Sequence, residues 1–71
     1  MNETAILIKL GARIKDLRLV KNMTQNELAM QCNFEKASMS RIESGKTNVT
    51  LITLYKISNA LEVKFSDLFS N

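Results

Sequence analysis

Residues 23–45 read MTQNELAMQCNFEKASMSRIESG, and the division of this stretch decides the fold. The Thr24 hydroxyl can accept from the backbone while Glu27, three residues on, reaches back to the Thr24 amide, the reciprocal arrangement that opens a helix. Leu28, Ala29 and Cys32 then fall on one inward side of a short helix. Asn33 stands where the chain must turn sharply, and asparagine is among the few non-glycine residues that tolerate left-handed backbone. A second short helix is predicted from about Lys36 to Ser44, burying Met39 and Ile42 and leaving Lys36, Ala37, Ser38, Ser40 and Arg41 outside. Gly45 is its stop.

Toward the N-terminus, Leu7, Leu10, Ile14 and Leu17 recur at steps of three and four, the stripe of a helix predicted from about Thr4 to about Lys21. Gly11 inside it costs about 1 kcal/mol relative to alanine. Toward the C-terminus a polar loop, Lys46 to Val49, leads to Thr50 as the cap of a fourth helix with Leu51, Leu54, Ile57, Ser58 and Leu61 inward. Ser66 is expected to cap a final one-turn helix holding Asp67, Leu68 and Phe69, with Val63 and Phe65 packing just before it. Nothing resembling a linker, repeat or low-complexity tract interrupts these pieces. The expectation is one all-α domain over residues 1–71, core motif about 10–69, a compact bundle of five short helices with a helix-turn-helix in helices two and three.

Composition narrows the function. The chain has 71 residues, 45% hydrophobic, with no tryptophan, so its core must be mostly aliphatic. Without histidine and with one cysteine it lacks the usual proton shuttles and cannot assemble a stable transition-metal site, so neither an enzyme nor a metal or other cofactor is expected. A lone thiol, Cys32, forms no internal disulfide and suits a reducing, cytoplasmic setting, where it reads as a small apolar filler. No run of about 18 apolar residues suggests a membrane span, and the N-terminus lacks the order of a signal peptide. The formal charge of +3 permits an anionic partner. Between residues 9 and 21, Lys9, Arg13, Lys15, Arg18 and Lys21 face only Asp16.

Two short helices joined by a three- or four-residue turn, the second with small and basic residues outward, form the geometry that enters the major groove of DNA. Leu17-Arg18, Met23-Thr24-Gln25-x-x-Leu28-Ala29, Ser40-Arg41-Ile42-Glu43-x-Gly45, Leu51-x-x-Leu54-x-x-Ile57-x-x-Ala60-Leu61-x-Val63 and Ser66-Asp67-Leu68-Phe69 stand in register. Together they resemble the Cro and phage-repressor (Xre) type of helix-turn-helix regulator, over nearly the whole chain. The resemblance implies that Lys36, Ala37, Ser38 and Arg41 meet base edges. Lys36 and Arg41 would donate to guanine O6 and N7, and the Ala37 methyl would touch thymine.

The resemblance further implies that Gln25, Asn26, Ser40, Lys46, Thr47 and Asn48 contact phosphates, Gln25 also bracing the recognition helix. It makes Arg18 and Glu43 a structural pair joining helix one to the end of helix three. Leu61, Val63, Phe65, Leu68 and Phe69 either close the monomer's core or form a self-complementary dimer patch. Two positions depart from the family pattern: Glu35 replaces the usual Ser or Thr cap of the recognition helix, and Val49 stands where many members have proline.

The function implied is a sequence-specific regulator of transcription, a homodimer on a roughly palindromic double-stranded operator, repressing or tuning its own promoter. Short members of this kind resemble antitoxins and controllers of restriction-modification operons. The alternative is a module of the same fold that binds a protein partner such as a toxin.

Overall fold

In a computed structural model of the chain, residues 2–70 are described, so Met1 and Asn71, the ends of the expected 1–71 domain, lie outside the described residues. The order is α1 (Glu3–Val20), α2 (Gln25–Gln31), α3 (Lys36–Glu43), α4 (Leu51–Leu61) and a 3-10 helix (Phe65–Phe69), with no strand among the described residues. The expected fifth helix is thus a 3-10 segment.

All the helix starts but that of α3 have a local side-chain cause. Asn2 begins α1 earlier than expected, its side-chain oxygen accepting from the Ala5 amide at 2.8 Å. Thr24 and Glu27 form the expected reciprocal cap at 3.0 and 2.8 Å, and the backbone bond holds the Glu27 carboxyl below its ordinary value. Thr50 caps α4 by accepting from the Thr53 amide at 3.1 Å. Ser66 caps nothing: the last segment begins after Lys64, whose amide donates to the Asp67 carboxylate at 3.0 Å. A carboxylate accepting from the residue three places before it does the work assigned to the serine. Glu35 precedes α3 without a side-chain cap.

The α-helix ends share one device. Asn22, Asn33, Gly45 and Glu62 each take left-handed backbone, at φ 57, 61, 73 and 56°. Each lets the next amide return to a carbonyl in the last helical turn: Met23 to Arg18, Phe34 to Ala29, Lys46 to Arg41 and Val63 to Ser58. The turn between α2 and α3 is locked further by Phe34, half-buried against the core.

Ile14, Leu28, Ala29, Cys32, Met39, Ile42, Leu54, Ile57, Leu61 and Leu68 make the core, with Leu10, Leu17, Met23, Val49, Val63 and Phe65 packed against it. Leu51 does not join them. It is exposed at the first residue of α4, whose Leu54, Ile57, Ser58 and Leu61 face inward. No helix of the described residues is long and apolar enough to cross a membrane.

The seam between α1 and α3 has the least slack. A Cβ at Gly11 would lie 2.5 Å from the Glu43 carbonyl oxygen and closer still to that of Ile42, and one at Gly45 would lie 2.6 Å from the Ile8 Cα. Both glycines therefore let backbone approach backbone. Beside this seam Arg18 grips Glu43 through two parallel bonds, Nε to Oε2 at 2.7 Å and Nη2 to Oε1 at 3.0 Å. Its Nη1 donates to the Met23 carbonyl at 2.8 Å, so one buried guanidinium ties α1, the α2 approach and α3 together.

Two glycine substitutions should act with opposite signs in thermal melts. Gly11→Ala raises helix propensity yet forces the seam apart, and should lose about 1–3 kcal/mol. Glu62→Gly relieves an exposed left-handed glutamate and should gain about 0.5–1 kcal/mol. A rise in melting temperature for Gly11→Ala would contradict the seam. For the ion pair, Glu43→Gln should cost about 3–5 kcal/mol in urea unfolding, whereas joining Arg18→Met to Glu43→Leu should recover most of the loss. Equal instability of the single and double variants would show that charge pairing is not what Arg18 contributes.

Candidate nucleic-acid interface

Successive residues of α3 are turned by about 100°, so its eight residues divide cleanly. Met39, Ile42 and Glu43 fall on one arc and are buried, while Lys36, Ser40, Ala37 and Arg41 fall on the opposite arc and are exposed. Ser38 sits on the border and is half-buried. The Arg41 guanidinium lies along the helix with Nη2 3.5 Å from the Ser38 hydroxyl. The outer arc carries two cations, a methyl and one hydroxyl, with the Ser38 hydroxyl at its border.

A depression lined in part by polar side chains lies on each side of this arc. On one side, about 470 Å³ of open space is bounded by Lys15, Gln25, Asn26, Lys36 and Ser40, with Arg18 and Glu43 also in the lining. On the other, about 270 Å³ is bounded by Ser38, Arg41, Thr47, Asn48, Thr50 and Thr53. The residues expected at phosphates divide between the two sides: Gln25, Asn26 and Ser40 on the first, Thr47 and Asn48 on the second. Lys46 is exposed but borders neither.

Gln25 links this surface to the buried pair. Its Nε2 donates to Glu43 Oε1 at 3.1 Å, joining the first residue of α2 to the last of α3. Ser44 turns inward on its own helix, its hydroxyl donating to the Ser40 carbonyl at 2.8 Å.

Sequence reading does not single out Lys15, Thr50 or Thr53 for this surface. Lys15 stood within the basic group of the first third, but that group is not one patch. Arg13 donates to the Asp67 carbonyl at 2.8 Å and anchors the C-terminal segment, and Arg18 is buried. Lys15 lies one helical turn before Arg18 on α1, and that spacing was the available signal. Thr50 and Thr53 belong to the start of α4, which only the fold brings beside α3.

The residues expected at a subunit contact do not stand together as a surface. Leu61 and Leu68 are sealed in the core, 1% exposed each, which removes them as contact residues. Val63 and Phe65 are half-buried against that core, and Phe69 alone projects, stacked edge-on against Phe65 at 5.3 Å. Cys32 is buried, and burial pushes its thiol up, with Lys56 partly offsetting the rise, which favours the inert protonated form. No group of three or more His, Cys, Asp or Glu side chains suited to a metal ion occurs among the described residues.

The helix-turn-helix family profile matches residues 14–68. The control protein C.MunI of a Mycoplasma species is 40% identical over 67 residues, covering 93% of this chain and 90% of that protein. The control protein C.BamHI of Bacillus amyloliquefaciens is 41% identical over 64 residues, covering 89% and 79%. The crystal structure of the restriction-modification controller protein C.AhdI from Aeromonas hydrophila superimposes with a TM-score of 0.89 at 32% identity, covering 92% of this chain and 98% of that one. Matched turn for turn and along most of its length, the chain belongs to the helix-turn-helix family of DNA-binding transcription regulators, of the Cro and phage-repressor (Xre) type.

Proposed function

We propose that this chain is a controller of a restriction-modification operon, a cytoplasmic regulator that binds its operator as a homodimer and tunes its own promoter. The observation that carries this reading is the outer arc of α3 flanked on both sides by depressions lined in part by polar side chains. A major groove about 12 Å wide admits one helix and its side chains, with a phosphate rail on either side. The names and near-complete coverage of the control-protein relatives support the regulatory assignment.

In this reading Lys36 and Arg41 donate to guanine O6 and N7, the Ala37 methyl meets a thymine methyl, and Ser38 adds a hydroxyl at the edge. Gln25, Asn26, Ser40 and Lys15 hold one phosphate strand. Thr47, Asn48 and Lys46 hold the other, joined by the Thr50 and Thr53 hydroxyls. Phosphate contacts set position and register, and the outer arc of α3 sets sequence. The Gln25 bond to Glu43 couples the two, since it holds a phosphate-side residue and the recognition helix to the same carboxylate. Binding, and no covalent chemistry, is the whole of the activity.

Selecting bound sites from a random duplex library, with salt controlled, gives the operator. On it Arg41→Ala or Lys36→Ala should each cost about 1–3 kcal/mol and relax preference at one base position. Lys15→Ala and Lys46→Ala should weaken all sequences alike and lower the salt slope by about 1. A domain neutralising about six phosphates should show a log-log slope near −5. Equal losses on every sequence for Arg41→Ala would overturn direct readout by this helix. Absence of any salt-sensitive DNA affinity would favour a protein partner at the same face.

A further inference from the structure

Ile6, Lys9, Leu10 and Arg13 follow at steps of three and four along α1, so they share one side of that helix. The C-terminal 3-10 segment packs against that side, and the two enclose a groove of about 450 Å³ floored by Ile6, Leu10, Leu68 and Phe69. Ile6 and Phe69 are 50 and 56% exposed, large apolar side chains that the chain's own fold leaves uncovered. The outward apolar stripe of α4, formed by Leu51, Ile52 and Tyr55, contributes nothing to the groove. Neither does α3, and the groove shares no lining residue with the two depressions beside the recognition helix. An occupant here and DNA at α3 therefore touch different residues.

The edge of the groove is charged. Lys9 and Arg13 stand one helical turn apart along it, and neither makes an ion pair among the described residues. Arg13 uses only its Nε, which donates to the Asp67 carbonyl at 2.8 Å. That bond fixes the guanidinium in place and leaves both Nη atoms without a protein partner among the described residues. Asp16 is the one acidic residue in the lining. An occupant must cover apolar ground and present negative charge at two points one turn apart. An α-helix does both, with an apolar stripe at i, i+3 or i+4, and i+7 in the groove and acids four residues apart beside it. From Ile6 to Asp16, at 1.5 Å per residue, the groove runs about 15 Å, the length of roughly three helical turns. A small amphiphile with one head group meets the two cations at one point only.

We propose that the groove between α1 and the C-terminal segment docks an acidic amphipathic helix of a partner protein, its apolar stripe on Leu10 and Phe69 and its acids on Lys9 and Arg13. The inference goes beyond DNA binding and stands without it. A random library of displayed peptides of about fourteen residues, four helical turns, is selected on the unaltered chain with the Lys9→Glu chain as competitor. Enriched peptides should share the helical apolar stripe with Asp or Glu one turn apart. In fluorescence anisotropy they should bind about tenfold or more weakly to Lys9→Glu and to Phe69→Ser, lose affinity as salt rises, and bind Ile52→Ser as they bind the unaltered chain. Phe69 also stacks on Phe65, so Lys9→Glu, at an exposed side chain without a hydrogen bond among the described residues, separates docking from folding. A peptide whose acids are replaced by lysines should prefer the Lys9→Glu chain. Enriched peptides without acids, or equal binding to Lys9→Glu and the unaltered chain, overturn the site. Decanoate bound in the groove with no peptide enriched would assign it to a small amphiphile, and self-association abolished by Phe69→Ser alone would assign it to a second copy; either result overturns the partner helix. None of these outcomes bears on operator binding, and failure to bind DNA leaves the groove standing.

Discussion

The Glu43 carboxylate has little access to water, and Glu43 is the last residue of α3. A charge so placed must be paired, and Arg18 supplies the pairing in the bidentate geometry that only a guanidinium offers. Because Arg18 also holds the Met23 carbonyl and Glu43 also accepts from Gln25, the network contacts α1, the start of α2 and the end of α3. An α3 of eight residues has no stability of its own in water. Its direction is set by this pair at one end, by Met39 and Ile42 beneath, and by the locked turn before it. The outer arc is held by what lies on the inner one.

That arrangement separates the supporting residues from the exposed arc of α3. Gly11, Arg18, Glu43 and Gly45 answer to one another across a seam with no slack. Lys36, Ala37, Ser40 and Arg41 touch almost nothing in the protein, so their chemistry can change without disturbing the helix that carries them. Surface changes away from caps and core usually shift stability by less than about 0.5 kcal/mol. A change in the chemistry of that exposed arc is thus available to this scaffold at little cost in folding, whereas a change at Glu43 is a change of fold stability first.

Local chemistry made much of this legible in the sequence. The Thr24 and Glu27 cap, the Thr50 cap, the Asn33 turn and the Gly45 stop are contests between neighbours in the chain, and neighbours are all that a sequence displays directly. What escaped reading depended on distant partners. Gly11 looked like a weak point in a helix because the carbonyls of Ile42 and Glu43 that exclude a side chain there lie more than thirty residues away in sequence. Leu51 fitted the inward stripe by spacing, yet it is the first residue of α4 and is left exposed at that end. Ser66 looked like a cap because serine often is one, but a carboxylate one residue on was better placed. Leu61 and Leu68 fitted either a core or a contact patch by composition, and only packing divided those roles.

The small size of the chain links these observations. Few residues are left over, so single elements serve two purposes: α1 is both a wall of the core and the carrier of Lys15, and α4 closes the core while starting beside the recognition helix. A chain of this length rarely gains more than a few kcal/mol from its own core, and an outward apolar stripe adds to the surface that core leaves uncovered.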